Sequence, residues 1–89
     1  MNYLLIRHKV KDFKKWKVAY DAHGPARERA ALKERCLLRS ARSRNDVLIL
    51  FEAGDLARAK AFCASADLRA AMKKAGVTGK PDLSILADA

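Results

Sequence analysis

From Tyr3 to Val10 the chain alternates, with Leu4, Ile6, His8 and Val10 on one side and Tyr3, Leu5, Arg7 and Lys9 on the other. That is the period of a half-buried strand. The period then changes. At about 100° of turn per residue, Asp12, Phe13, Trp16, Ala19, Tyr20 and His23 fall within one arc, and Lys14, Lys15, Lys17, Val18 and Asp21 fall outside it. The stretch predicts an amphipathic helix, with Asp12 placed to cap its first turn. Gly24-Pro25 ends it, because a residue before proline avoids the α region. Pro25 suits the first position of a second short helix, to about Lys33.

Arg35 to Ala41 predicts a second strand, Ser43-Arg44-Asn45-Asp46 a turn, and Val47 to Phe51 a third strand forming a hairpin with the second. The third strand is apolar at every position, so both of its faces should be covered. Asp55 opens a further helix whose inward stripe is Leu56, Ala59, Phe62, Cys63 and Ala66. Ser65 or Asp67 can recap it, and Leu68, Ala71, Met72 and Ala75 continue an apolar face up to Gly76. Lys80-Pro81-Asp82 lead into a last strand, Leu83 to Ala87. The order β-α-β-β-α-β predicts an α+β, ferredoxin-like sandwich in one domain over residues 1–89, with helices on one face of a four-stranded antiparallel sheet and the first and third strands at its centre.

A chain of 89 residues buries only about 60–65% of its unfolded surface, so help from a partner subunit is a natural expectation. Hydrophobic content of 51% excludes a disordered tail. No apolar run approaches the ~18–20 residues of a membrane span, and the N-terminus leads straight into a strand pattern, so the expected location is the cytoplasm. Cys36 and Cys63 suit neither a disulfide framework nor a zinc knuckle and read as small core side chains.

The net charge of +9, from 19 Lys and Arg against 10 Asp and Glu, would draw the chain toward polyanions. Spread evenly over the surface, it would bring solubility and nothing more. An RNA-recognition module needs outward aromatics on its central strands. Here the third strand offers only Phe51 and lacks the Lys/Arg-Gly-aromatic signature, so a nucleic-acid partner is disfavoured, though the charge does not exclude it. No Gly-rich loop follows the first strand.

At this point the sequence resembles the dimeric α+β barrel superfamily, which includes the antibiotic-biosynthesis monooxygenase-like and related small cyclase-like domains. The resemblance rests on the opening strand, on Asp12-Phe13-x-x-Trp16-x-x-x-Tyr20-x-x-His23, on the strand ending Phe51-Glu52, and on Leu68-x-x-x-Met72-x-x-Ala75-Gly76-Val77 followed by Pro81. It implies a homodimer through the sheet and a ligand cavity between sheet and helices. It also implies cofactor-independent oxygenation or isomerisation of an aromatic or polyketide-like substrate. The alternatives are a non-catalytic dimer that binds a small ligand or anion, and a basic nucleic-acid-binding module.

The candidate site residues follow from these faces. His8 shares its strand face with Leu4 and Ile6 and points toward the stripe carrying Trp16, Tyr20 and His23. His23 and His8 are the candidate general bases, since imidazole titrates near neutrality. Trp16, Tyr20 and Met72 are the candidate ligand contacts, although Trp16 and Tyr20 at i and i+4 also serve an ordinary helix in covering a sheet. His23 ends its helix, where the dipole favours positive charge. No cofactor is expected and no metal, because Asp12 and His23 lie about 16 Å apart along the helix axis.

Overall fold

The computed structural model describes residues 1–89 as β1 (Asn2–Val10), α1 (Phe13–Ala22), α2 (Gly24–Arg29), β2 (Leu32–Arg39), β3 (Asp46–Ala53), α3 (Leu56–Cys63), α4 (Ala66–Lys74) and β4 (Val77–Ala87). The sheet runs β2-β3-β1-β4, all neighbours antiparallel, so the two most apolar strands lie at its centre. This is the expected ferredoxin-like α+β arrangement, with each of its two helical segments split in two.

The capping chemistry explains the splits. Asp12 accepts from the Lys15 backbone N–H and starts α1. Asp55 does the same for α3 through Arg58. Ser65, not Asp67, recaps α4, its hydroxyl accepting from the Leu68 N–H and donating to the Phe62 carbonyl. Gly76 stops α4 at a φ of +86°, a conformation that costs a residue with a Cβ about 1–2 kcal/mol.

Several boundaries differ from the sequence reading. The second helix ends at Arg29, and β2 begins at Leu32, three residues ahead of Arg35, because Ala31 takes a φ of +57° and turns the chain into the sheet. Pairing slips between Glu34 and Cys36, leaving Arg35 as an extra residue that interrupts strict alternation there. Asp46 closes the expected turn, its N–H donating to the Ser43 carbonyl at 3.0 Å, and also opens β3, where it is buried and accepts from Arg7 Nε at 3.3 Å and Nη2 at 2.8 Å, so that the guanidinium holds its carboxyl below the usual range. The last strand starts at Val77 instead of Leu83. It absorbs Gly79, Lys80 and Pro81 as an irregularity between the pairs Lys9–Thr78 and Arg7–Asp82, tolerable for proline on an edge strand. Ala66 is exposed, off the inward stripe.

The core lies between the sheet and the helices, where Leu4, Ile6 and Val10 of β1 and Val47, Ile49 and Phe51 of β3 meet Trp16, Phe62, Leu68 and Met72. On the opposite face the register lines up Leu38, Leu48, Arg7 and Asp82, then Cys36, Leu50, Leu5 and Ser84, then Glu52, Tyr3 and Leu86. Its middle is apolar. Leu48 and Leu50 are half-buried in the single chain, while Leu38 and Leu86 are exposed.

Candidate functional site

Strand alternation turns His8 toward the helices, and helical spacing turns Trp16, Tyr20 and His23 back toward the sheet. They meet Met72 of α4 around one cavity of about 40 Å³, all five predicted site residues among its lining. The rest of the wall is largely apolar, with Phe51, Phe62 and Leu68 prominent. That space holds about two water molecules. A ring system needs several times more, so the side chains at the mouth must part to admit one.

His8 lies deepest. It is 5% exposed, its ring meets Trp16 edge-on at 5.6 Å between centroids, and neither ring nitrogen has a hydrogen-bond partner. Burial drives its pKa from 6.5 down to about 4 against the pull of nearby Asp46, so at neutral pH it is an uncharged imidazole with one donor and one acceptor unused. Such orphans are rare inside proteins, where buried polar atoms nearly always find partners.

Trp16 and Tyr20 stack on each other, centroids 4.8 Å apart and planes 20° from parallel. The Arg27 guanidinium lies over the Tyr20 ring at 3.7 Å and donates from Nη1 to the Tyr20 carbonyl at 2.8 Å. Tyr20 is thus packed between an indole and a cation. Its hydroxyl donates to Glu34 Oε1 at 2.7 Å. Burial first, and that bond second, push the phenol pKa well up, so Tyr20 serves as a donor and never as a base.

His23 occupies the break between α1 and α2, as the position of Gly24-Pro25 requires, and is the shared cap of both helices. Its Nε2 lies 2.9 Å from Asp67 Oδ2 in the first turn of α4. With Nε2–H donating to that carboxylate, Nδ1 carries the lone pair of a ring that lines the cavity. Asp67 was legible only as a rival cap; once Ser65 takes that role, its carboxylate is free for His23. Arg27 and Phe62 had no individual signal. Arg27 reaches Tyr20, seven residues back, only because the helix breaks between them, and Phe62 counted simply as core.

No protein family matches the chain as a sequence, and no curated protein is similar to it. Solved structures are. A candidate antibiotic biosynthesis monooxygenase of Bordetella bronchiseptica superposes with a TM-score of 0.77 at 14% identity, over 99% of this chain and 96% of that one. SnoaB, a cofactor-independent oxygenase of Streptomyces nogalater, gives 0.75 at 12% identity over 99% and 92%. A NIPSNAP domain protein of Burkholderia xenovorans gives 0.65 at 13% identity over 100% and 95%. With its strand order, paired helices and near end-to-end superposition, the chain has the ferredoxin-like fold of the antibiotic biosynthesis monooxygenase-like proteins.

Proposed function

We propose that the protein pairs through its open sheet face and that each subunit binds a small acidic aromatic or polyketide-like molecule between sheet and helices, catalysing its cofactor-independent oxygenation or isomerisation. The observation that carries this reading is His8, buried with both ring nitrogens unpartnered at the inner end of an aromatic cavity. A ligand hydroxyl or carbonyl would satisfy it. At the other end, His23 Nδ1 takes the proton of a phenol or enol, and Asp67 fixes the tautomer and stabilises the imidazolium that forms. The Arg27 guanidinium is the remaining donor near the resulting anion, the Tyr20 hydroxyl proton being held by Glu34. That electron-rich anion reacts with oxygen or rearranges. SnoaB, an oxygenase that needs no cofactor, supports the reading through its shared fold.

Two measurements test it. Oxygen uptake across a panel of hydroquinones and phenolic polycycles should exceed the uncatalysed rate, and His23→Ala should lower it at least tenfold. No uptake across the panel would leave a ligand-binding dimer without chemistry; uptake undiminished in the variant would remove His23 from its role. Pairing is tested separately by light scattering at moderate and high salt. A molar mass twice that of the chain, unchanged by salt, is expected, because burial of the apolar rows around Leu5, Leu48 and Leu50 is insensitive to screening. A monomer at both salt concentrations overturns the pairing.

A further inference from the structure

The surplus charge is not spread over the surface. Register places Lys9, Arg39, Asp46 and Val77 at one end of the sheet and Asn2, Leu32, Ala53 and Ala87 at the other. Backbone bonds close the first end: the Val10 N–H donates to the Asn45 carbonyl at 2.8 Å and the Lys11 N–H to the Gly76 carbonyl at 3.0 Å. They draw together the end of β1, the β2–β3 loop, and the junction of α4 with β4.

Those segments carry cations. Lys9 and Lys11 leave β1, and Lys14 and Lys15 begin α1. Arg42 and Arg44 ride the loop, Lys73 and Lys74 end α4, and Lys80 sits in the β4 irregularity. All nine are exposed, and none has a carboxylate within ion-pair distance. The acids at this end are committed or few. Asp12 caps α1, Asp46 binds Arg7, and Asp82 stands opposite Arg7. The other seven acids, from Asp21 and Glu28 to Asp67 and Asp88, lie toward the far end among the remaining cations. Nearly the whole net charge of +9 is therefore gathered at one end of the molecule.

We infer that this end is a docking surface for the phosphate backbone of duplex nucleic acid, bound without sequence preference. Seven of the nine cations are lysines, point charges suited to phosphates and not to the bidentate reading of bases. Single-strand stacking has no platform here: Phe13 is covered by the Arg39 guanidinium at 3.8 Å, and Trp16 is buried. A membrane surface would want apolar side chains among the cations. Of the exposed large hydrophobic side chains, Met1, Ile85 and Leu86 stand at the far end and Leu38 on the open sheet face, which leaves Val18, one turn beyond Lys14, alone beside the nine. None of the nine cations lines the cavity, and His23 stands at the opposite end of α1 from Lys14 and Lys15.

The test is fluorescence anisotropy of a labelled 20-base-pair DNA duplex titrated with the intact protein. With about six phosphates neutralised, affinity should fall about 10³-fold between 50 and 200 mM salt. The variant Lys14→Gln/Lys73→Gln/Lys74→Gln should reduce that fall by about forty-fold, three contacts fewer, and weaken binding at 50 mM at least tenfold. A control of equal charge change at the far end, Arg29→Gln/Arg58→Gln/Lys60→Gln, should alter affinity less than twofold. Matched circular dichroism melts separate lost binding from lost fold. Equal effects from the two variants, no binding at 50 mM salt, or binding to vesicles containing an anionic phospholipid in preference to the duplex would each overturn the inference.

Discussion

Trp16→Ala is expected to cost about 3–5 kcal/mol of folding stability. The indole is 2% exposed and is the largest fully buried side chain. It is hemmed by His8 and Phe13 at 5.6 Å and by Tyr20 at 4.8 Å. All three neighbours are rigid rings on different turns or elements, so they cannot collapse together to fill the hole, and the cavity penalty adds to the lost transfer energy. A domain of this size has about 5–15 kcal/mol in all. Urea denaturation followed by circular dichroism reads the effect directly, and the variant should unfold at a small fraction of the wild-type midpoint. A loss below about 1 kcal/mol would mean that the neighbours do close over the gap, and that the aromatic cluster is looser than its geometry indicates.

Acidification should expose His8. Its ordinary pKa of 6.5 falls to about 4 in the folded chain, so between those values the unfolded state binds a proton that the native state refuses. Stability is then complete above pH 6.5 and is lost progressively as pH falls toward 4, by an amount on the order of 3 kcal/mol. The window lies above the range in which Asp46 and Asp88, both held low by ion pairs, begin to protonate. Urea midpoints at pH 7.5 and 4.5 measure the slope. In His8→Leu, close in volume and without ring nitrogens, that contribution should vanish, and the variant should be more stable than wild type at pH 7.5 by about 1–3 kcal/mol, since two unpaired buried nitrogens are gone. If turnover is found, the same variant should lose it. A protein made more stable and less active by one substitution is what a residue kept for its site would give. A wild-type midpoint indifferent to pH across this window would show instead that the folded chain protonates His8 as freely as the unfolded one.

How far the site was readable before folding depends on which forces place each residue. His8 was visible because strand alternation is strictly period 2, so the three apolar neighbours Leu4, Ile6 and Val10 fix the direction of the one polar member among them. Trp16, Tyr20 and His23 were visible through helical spacing, and Met72 through the stripe of α4. Arg27, Glu34 and Asp67 were not. Each acts across a chain break or between elements, as in the 44-residue separation of His23 and Asp67, and no local period records such a pairing. The burial of Asp46 was hidden for a related reason. It closes the turn that Ser43, Arg44 and Asn45 announce, and only the approach of Arg7 from the adjacent strand makes burial of its carboxylate tolerable.

The sequence by itself determined the element order, the apolar faces and the caps, because periodicity and hydrogen-bonding residues at helix starts act within a few residues of one another. It also determined that β1 and β3 are central, since the β-α-β-β-α-β order places the first and third strands there. The tertiary structure alone decided three things. It set the true extent of β2 and β4, whose bulges obey register with a neighbour and not local pattern. It left His8 with no partner, which is a property of everything packed around the ring. And it turned a net charge that composition could only total into a polarised one, because four antiparallel strands bring Lys9, Arg44, and Lys74 with Lys80 to the same end from three remote parts of the chain.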